Sequence, residues 1–411
     1  MKVVLCVVLI LLLAAAPAAV QAQFDYTTNA DGVTLTITGY SGPPWAVVIP
    51  ININGLRVVN IGNGVFYWNT NITSLTIPGS VTNIGYNAFQ ICTSLTNVTI
   101  PDSVVSIGSD AFGGAGLTSV SIPASVTNLG EFAFFCPSLT AITVDSQNAF
   151  YSSVGGVVFD KSGFTLVEYP HGGVGSYTIP AGVTNIGYGA FFGCVGLTSV
   201  TIPGSVISIE GAAFGYCFGL KDVAISNGLC NLLGNAFPDC TNLSRITIPG
   251  SVTNIGPGAF ENCTSLINVT IPDSVVSLGD SAFVLCSNLA GVFFAGNPPA
   301  IGSNVFNYDT NVTAYYLPGA IGWSNTFAGV PALLWNPVIQ TGDFGFGVRN
   351  NQFGFDVTGT TNIPIVVEAC TALASSGWIP LQTLKLTNGS FHYSEPFQAN
   401  SSGRFYRISS P

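Results

Sequence analysis

The sequence predicts a mainly β protein: a solenoid of about twelve coils with a 23-residue period, followed by a small all-β, sandwich-like domain. Phenylalanine recurs at a fixed spacing, and the dipeptide Ile-Pro recurs with it. Only 9 basic and 19 acidic residues occur among 411, whereas soluble domains usually carry about 25% charged residues. A repetitive fold with a long shared core explains this composition.

The first 22 residues have the pattern of a secretory signal peptide. Lys2 precedes an unbroken apolar run from Val3 to Pro17, and Val20-Gln21-Ala22 follows with small residues at the spacing of a cleavage site. The alternative, an uncleaved membrane anchor, needs about 20 apolar residues, which the run barely reaches. We therefore expect cleavage after Ala22, export, and no membrane insertion of the mature chain.

Each repeat begins with a short strand. The unit reads L-T-x-V-x-I-P-x-S-V-x-x-I-G-x-x-A-F-x-x-C-x-x, and Leu197, Val200 and Ile202 occupy its first apolar positions. Strand side chains alternate between two faces, so these three residues point inward while positions 3 and 5 point outward. Pro203 ends the strand because proline has no N–H to give to the next coil.

A second extended piece and a turn complete the unit. In one coil, Ser251–Gly256 is the second piece, and the ring of Phe260 turns inside. The phenylalanine steps are 23 residues, except for a step of 22 before Phe134 and a step of 57 after it. The long step holds two coils, one of them enlarged by about a dozen residues. Stacked units bury the apolar side that a single unit leaves exposed.

This unit resembles the BspA-like, treponemal-type leucine-rich repeat family. The resemblance covers Val47 to Leu317, and Phe24–Ile49 is similar to the cap that often precedes such repeats. It implies a surface or secreted protein, with adhesion to host or matrix proteins in some members, and no enzyme activity. The predicted parts are the signal peptide (1–22), the cap and leucine-rich repeat solenoid (23–335) and a C-terminal β-rich module (336–411).

The outward strand positions form two polar columns, which are the candidate binding face. Thr, Ser and Asn fill most of these positions, and one charged pair interrupts them. Hydrogen bonding, with arginine and aromatic side chains as anchors, suits recognition of another surface. The other interpretation is that threonine simply suits an exposed strand and that the next domain covers the aromatic residues. The candidate residues are Asp222, Arg245, Asn268, Thr270, Phe293 and Tyr316.

The enlarged coil, residues 145–178, contains a predicted hairpin. Val157–Phe159 and Phe164–Tyr169 flank the turn Asp160-Lys161-Ser162-Gly163. Titratable residues are concentrated in this segment, so it is interpreted either as a ligand or calcium-binding loop or as a solvated hairpin. These residues are Asp145, Asp160, Lys161, Glu168 and His171.

Nine cysteines remain after signal cleavage, and most follow a repeat phenylalanine by three residues. We expect them to form one internal column with Cα atoms about 4.8 Å apart, which a disulfide tolerates. The Cβ vectors run parallel, however, and this holds the Cβ atoms too far apart for a bond. We therefore expect buried free thiols, although export favours disulfides. Cys230 occupies a position where other coils have threonine, so it is expected to be exposed.

Composition and motifs argue against several functions. The net charge of −10 excludes an electrostatic nucleic-acid or anionic-membrane binder. His171 and His392 are the only histidines, and no G-x-S-x-G or C-x-x-C motif occurs. We therefore expect no enzyme activity, no cofactor and no metal site.

The expected function is binding or adhesion to a protein or glycan surface, because solenoids present extended faces instead of closed pockets. Two alternatives stay open at this point. One is a carbohydrate-binding accessory protein that uses exposed tyrosine and tryptophan, and the other is self-associating surface material. Low charge predicts that association depends little on salt.

The 23-residue period ends near Trp335. Residues 336–411 alternate differently, and turn pairs such as Asn388-Gly389 separate their apolar runs. This pattern predicts a small all-β domain, most simply a sandwich. Its role is interpreted either as a cap over the last coil or as a sorting or attachment module.

Overall fold

The computed structural model describes residues 23–371, 377–397 and 403–411. The predicted signal peptide lies outside the described residues. Within them the chain forms strands and turns without a helix, which confirms the predicted mainly β fold. That part of the chain accordingly has no helix that could cross a membrane.

Two kinds of strand alternate along the solenoid. A longer strand carries the Leu-x-x-Val-x-Ile pattern, and a two-residue strand follows the proline turn. The first half contains β1 (Phe24–Thr28), β2 (Thr34–Tyr40), β3 (Ala46–Val48), β4 (Asn52–Ile53), β5 (Leu56–Ile61), β6 (Ser74–Thr76), β7 (Asn83–Ile84), β8 (Ser106–Ile107), β9 (Ser119–Ile122), β10 (Asn128–Leu129) and β11 (Ala141–Val144).

The enlarged coil supplies three strands, and the regular alternation then resumes. The enlarged coil holds β12 (Tyr151–Val154), β13 (Val157–Asp160) and β14 (Thr165–Glu168). The second half continues with β15 (Gly175–Thr178), β16 (Asn185–Ile186), β17 (Leu197–Ile202), β18 (Ser208–Ile209), β19 (Asp222–Ile225), β20 (Asn231–Leu232), β21 (Arg245–Thr247), β22 (Asn254–Ile255), β23 (Asn268–Ile271), β24 (Ser277–Leu278), β25 (Gly291–Phe294), β26 (Ala300–Ile301), β27 (Thr313–Tyr316), β28 (Thr326–Phe327) and β29 (Val330–Leu334).

Within each solenoid sheet, strands of one kind pair in parallel with the equivalent strand of the next coil, although residues 95–100 of one coil form no long strand. In the second half the long strands form the sheets β15-β17-β19-β21 and β23-β25-β27-β29, while the short strands run continuously from β14 through β16 to β26. At the N-terminus β1 and β2 are antiparallel, and β2 pairs in parallel with β5. The cap therefore joins the short-strand sheet of the solenoid directly.

The predicted inward positions form the core. Leu197, Val200 and Ile202 are at most 1% exposed. The repeat phenylalanines stack from coil to coil; the Phe214 and Phe237 ring centroids, for example, are 4.8 Å apart with planes 7° from parallel. Such near-parallel stacking follows from the parallel register, because each ring leaves the backbone in the same direction as its neighbour.

The enlarged coil contains the predicted hairpin. β13 and β14 are antiparallel, and β12 pairs with the other edge of β13. The Asp160 carboxylate closes the turn by accepting hydrogen bonds from the Ser162 hydroxyl at 2.5 Å and the Thr165 N–H at 2.9 Å. Asp160 therefore has a structural role in the turn.

The same coil has a shortened turn next to its aromatic residue. Leu166 pairs with Ile186 of the next coil, and the Tyr169 N–H donates to the Ala190 carbonyl. Two residues lie between Leu166 and Tyr169, but four lie between Ile186 and Phe191. Two residues are therefore missing from the outer turn of this coil.

This shortened turn divides the core. Tyr169 takes the place of the repeat phenylalanine and stacks on Phe191 with centroids 5.0 Å apart. The buried apolar residues form one cluster that includes Val158 and a second cluster that includes Val157. The expectation of one uninterrupted core is wrong at this coil, because the missing turn residues break the regular contact between Phe134 and the next aromatic ring.

The C-terminal residues form two small sheets around their own core. The strands are β30 (Val338–Gln340), β31 (Gly347–Arg349), β32 (Gln352–Thr358), β33 (Pro364–Cys370), β34 (Ile379–Lys385), β35 (Ser390–Pro396) and β36 (Phe405–Ser409). One sheet groups β30, β31 and β35 around β32, and the other has the order β34-β33-β36. Phe355, Val357, Ile365 and Val367 are at most 1% exposed in the core of this module.

Candidate binding surfaces

The long-strand face is the outward surface of the long strands, and its best-defined part lies on β15, β17, β19 and β21. Asp222 and Arg245 are directly opposite each other on β19 and β21, and both are exposed. They are not among the ion pairs of the described residues, which join other side chains. Both charged groups are therefore available to a partner.

Hydroxyl and methyl groups surround this charged pair. Thr201, Ala224 and Thr247 are successive register partners on β17, β19 and β21, and all three are exposed. Asn268 is half-buried and Thr270 is exposed on β23. This part of the predicted face is a flat surface of short polar side chains that carries Asp222 and Arg245, and the exposed Lys221 directly precedes Asp222 at its edge.

The two predicted aromatic anchors do not lie on the open face. Phe293 is only 6% exposed, and the outward residue of the next strand is Tyr315, because Phe293 pairs with Tyr315 and Phe294 pairs with Tyr316. Tyr316 points inward and stacks on Trp323 with centroids 4.9 Å apart. Both anchor assignments are therefore corrected.

The physical reasons for the two corrections differ. The coil between β25 and β27 has 22 residues from Gly291 to Thr313, and the loss of one residue from the period moves a side chain to the other face of its strand. Phe293 does point outward, but the C-terminal module covers it. It packs in one cluster with Tyr315, Phe355 and Ile365.

The turn face lies on another side of the solenoid and was not predicted from the sequence. It consists of the segments that carry the repeat phenylalanines: 62–70, 85–93, 108–115, 130–137, 187–195, 210–218, 233–241, 256–264, 279–287 and 302–310. Residues two positions before or after the phenylalanine often have positive φ, as Asn235 and Asn262 do at 54° and 56°. Asparagine and glycine tolerate this conformation, whereas bulky side chains rarely adopt it.

Aromatic residues nevertheless occupy several of these turn positions. Trp68, Phe132, Tyr216 and Tyr308 have φ values of 61°, 57°, 57° and 68°. Trp68 and Tyr308 are 62% and 71% exposed, so burial does not account for them. Other coils carry asparagine, aspartate, glycine or an aliphatic residue such as Ile91 or Leu285 at these positions. The aromatic residues there were the sequence signal for this face.

Six aromatic side chains in the middle of the turn face form a contiguous group, which we call the aromatic row. Phe132 lies 5.1 Å from Phe192, and Phe192 lies 5.1 Å from Tyr216, measured between ring centroids. Next-coil glycines make room for the rings, since a Cβ at Gly189 would collide with Phe132. The row consists of Phe132, Phe135, Tyr188, Phe192, Tyr216 and Phe218.

Part of the aromatic row closes the gap left by the shortened coil. Glu168 and His171 lie there at 5% and 1% exposure, with the His171 Nδ1 and Glu168 Oε1 atoms 4.0 Å apart. The Phe135 ring meets the imidazole edge-on with centroids 4.7 Å apart. Burial raises the pKa of Glu168 to about 8 and lowers the pKa of His171 to about 4, so both side chains are neutral between these values.

The titratable residues of the enlarged coil therefore do not gather into one loop. Asp145 and Lys161 are exposed, whereas Glu168 and His171 are inside. No group of three or more His, Cys, Asp or Glu side chains within 23–371, 377–397 and 403–411 is arranged to hold a metal ion. This geometry favours the solvated hairpin over the calcium-binding loop.

One model of a known family matches the solenoid. A model described as BspA type leucine-rich repeat region matches residues 59–173 and 169–290, with six copies of the repeat. These ranges cover more than half of the chain. The chain belongs to the BspA-type leucine-rich repeat family. The resemblance inferred from the repeat unit is thus confirmed, and membership supports a role in protein binding.

Solved structures agree with this family assignment. A protein from Faecalibacterium prausnitzii, described as a leucine rich cell surface protein, is 29% identical, with 67% of this chain and 93% of that chain covered and a TM-score of 0.50. A leucine-rich repeat protein from Eubacterium ventriosum is 19% identical over 75% and 97% of the two chains, with a TM-score of 0.55, and it supports the fold alone. No curated protein matches this chain.

Cysteines form an internal column within the BspA-type repeats. Six thiols of this column donate to the carbonyl of the repeat phenylalanine one coil earlier; Cys217 donates to Phe191 and Cys240 to Phe214, both at 3.0 Å. Burial raises the pKa of the Cys92 thiol to about 12, and it also raises the pKa of the Cys194, Cys240 and Cys263 thiols. All nine cysteines of the described residues are free, and Cys230 is the exposed one.

The C-terminal module contains the second histidine on a sheet surface. His392 Nδ1 lies 2.6 Å from Asp356 Oδ1 across β35 and β32, and both side chains are partly exposed. None of the hydrogen bonds in the described parts of the chain joins a serine hydroxyl to His392. A Ser-His-Asp arrangement would need such a serine in addition to this pair.

Proposed function

We propose that this chain is an exported, non-catalytic adhesion protein that binds a partner protein through its long-strand face. The family assignment supports protein binding, and the description of the F. prausnitzii relative as a cell surface protein supports a location outside the cell. The polar, weakly charged outward side chains favour contact through hydrogen bonds.

One observation carries this proposal. The sheet β15-β17-β19-β21 is entirely parallel, and its outward residues at Asp222, Thr201 and Thr247 are exposed. Parallel sheets are normally covered on both faces, so an open parallel face offers a ready surface for a partner. Arg245 is the anchor we assign, because arginine is enriched among the residues that dominate interfaces.

A protein partner is favoured over a glycan on this face. The glycan alternative requires exposed tyrosine and tryptophan, and on this face Tyr316 is half-buried and Phe293 is buried. Short threonine and serine side chains remain, and they form a flat surface. A flat polar surface can form a large interface with another protein, whereas a sugar binds better in a concave site that encloses it.

The test uses the mature chain and a panel of purified extracellular matrix and cell-surface proteins, measured by surface plasmon resonance. The double variant Asp222→Ser/Arg245→Ser leaves the net charge unchanged and removes both charged groups from the face. We expect it to weaken binding by about tenfold or more, the effect of losing one hot-spot side chain.

A matched variant controls for general effects of charge removal. Asp343→Ser/Lys385→Ser removes one exposed acid and one exposed base from the C-terminal module, and it should bind like the parent chain. Equal binding by both double variants would contradict the proposed face. Concentration-dependent self-association in sedimentation velocity, without binding to any protein in the panel, would favour structural surface material instead.

A further inference from the structure

The aromatic row exposes more ring surface than closing the gap requires. Phe132, Phe135 and Phe192 are half-buried over the shortened coil. Tyr216 and Phe218 lie one coil further along, are each 43% exposed, and contact each other edge-on with centroids 5.9 Å apart. Tyr188 is 48% exposed on the same surface. Covering Glu168 and His171 does not explain these three exposed rings.

Backbone strain adds a second observation. Tyr216 has a φ of 57°, and the equivalent position is Asp239 or Asn262 in the next two coils, with φ of 57° and 56°. A tyrosine in this conformation pays a conformational penalty that asparagine or glycine largely avoids, and the side chain is still 43% exposed. Exposed bulky residues held in sparsely populated conformations are characteristic of binding sites.

Charge is segregated between the faces of the solenoid. The turn segments contain seven carboxyl groups and no lysine or arginine. Six of these carboxyl groups are at least partly exposed, and Asp309 is buried. Burial and the nearby Glu131 carboxylate raise the pKa of Asp110, as expected where acids lie together without a cation. The exposed carboxyl groups are Asp110, Glu131, Glu210, Asp239, Glu261 and Asp280.

We propose that the turn face around the aromatic row docks a cationic segment of a partner protein, with arginine or lysine side chains over the exposed rings and between the flanking carboxylates. Aromatic faces attract such cations directly, and surrounding acids without competing bases provide charge complementarity. This inference rests on the proposed protein-binding function and names a partner class for a second surface of the same chain.

The ring geometry favours separate cations over a sugar. Successive rings along the row are tilted by 56° to 89° relative to one another. The row therefore offers several ring faces in different directions instead of one flat platform. Individual cationic side chains of a flexible segment can each reach one such face, whereas a rigid pyranose ring needs an extended plane.

The probe is a fluorescent peptide of arginine residues spaced by glycine and serine, with a version of equal length in which citrulline replaces arginine. Fluorescence anisotropy measures its affinity for the mature chain. We expect the arginine peptide to bind, the citrulline peptide to bind much more weakly, and Tyr216→Ser/Phe218→Ser to weaken the arginine peptide by about fivefold or more, as for two exposed cation–π contacts.

Two further variants separate specific docking from general attraction to an acidic protein. Phe164→Ser removes a ring that is 57% exposed in the enlarged coil, away from the turn face, and it should leave the affinity unchanged. Glu131→Gln removes one exposed carboxylate beside Phe132 and should weaken binding most at low salt. Equal affinity of the parent chain and Tyr216→Ser/Phe218→Ser would overturn the proposal, because attraction by net charge alone does not need the rings.

The two proposals fail separately. If the ring variant does not weaken the arginine peptide, but Asp222→Ser/Arg245→Ser still weakens binding to the protein panel, only the turn-face docking is contradicted. If no variant changes binding to the protein panel, the proposed function is contradicted as well. Binding of a neutral glycan array that depends on Tyr216 and Phe218, without binding of the arginine peptide, would assign the row to a sugar and overturn the cationic partner.

Discussion

The stacked phenylalanine column makes a quantitative prediction at Phe237. Its side chain is fully buried, and its ring lies between Phe214 and Phe260 with centroid distances of 4.8 Å and 5.7 Å. Phe237→Ala removes this ring from the middle of the column and leaves a cavity whose walls are held by the coils on both sides. Substitutions of this type cost about 3–5 kcal/mol.

The expected loss is large compared with the whole stability of the chain. A folded domain is stabilised by only about 5–15 kcal/mol, and in a solenoid each coil depends on the interfaces with its immediate neighbours. Phe237→Ala should therefore lower the denaturation midpoint clearly and allow the coils around β20 and β22 to open before the rest of the chain.

Urea denaturation followed by far-ultraviolet circular dichroism measures the effect. Phe164→Ala is the matched control, because Phe164 is 57% exposed and its truncation should change the free energy of unfolding by about 0.5 kcal/mol or less. A loss at Phe237 below about 1 kcal/mol, or a loss equal to that at Phe164, would refute the buried column, since it falls far short of the cost of a core cavity.

Three further predictions follow from the titratable groups, the thiols and the C-terminal contact. The pKa of Glu168 is raised to about 8 and that of His171 is lowered to about 4, so the free energy of unfolding should fall as the pH rises through about 8 and also as the pH falls toward about 4. In the Glu168→Gln variant, the urea midpoint should no longer fall at alkaline pH. An unchanged pH profile would contradict the assignment. In the native mature chain, a thiol reagent should modify the exposed Cys230 rapidly and the other eight cysteines, which are buried, only after unfolding. Rapid reaction of several thiols would show that the cysteine column is accessible to solvent. Phe293→Ala should weaken the contact between the solenoid and the C-terminal module by about 3–5 kcal/mol, and protease cleavage near Trp335 should become faster. An unchanged cleavage rate would show that this contact does not hold the module in place.

The repeat could be predicted from the sequence because its signals are local and redundant. The Leu-x-x-Val-x-Ile alternation, the Ile-Pro step and the phenylalanine spacing each indicate the same coil, and residues such as Leu197 and Phe260 lie where the pattern places them. The hairpin around Asp160 could also be predicted, since its turn chemistry is local. Local patterns that agree with one another are the most reliable guide to structure.

The binding face was harder to predict because it depends on the exact number of residues in each coil and on contacts with distant parts of the chain. A single residue lost between Gly291 and Thr313 moved the outward position from Tyr316 to Tyr315. The burial of Phe293 depends on residues such as Phe355 and Ile365, more than 60 positions later, and no pattern within the repeat shows this contact. One of the two interpretations of the aromatic residues, cover by the next domain, holds for Phe293.

The turn face shows a different limit of sequence reasoning. The shortened turn before Tyr169 is visible only once Leu166 is paired with Ile186, because the enlarged hairpin hides the two missing residues in the sequence. Phe132 and Phe192 are 60 positions apart, yet their ring centroids lie 5.1 Å apart. The signal for this surface was the substitution of aromatic residues at positions that favour asparagine and glycine, which becomes meaningful when φ is known.

Site-specific labelling tests the protein-binding face most directly. In a Cys230→Ser background, which removes the exposed native thiol of the described residues, Thr247→Cys places a reporter on the long-strand face and Phe164→Cys places one away from it. Saturation with a partner found in the protein panel should slow maleimide labelling at position 247 strongly and leave position 164 unchanged. Undiminished labelling at position 247 in the saturated complex would contradict binding through this face.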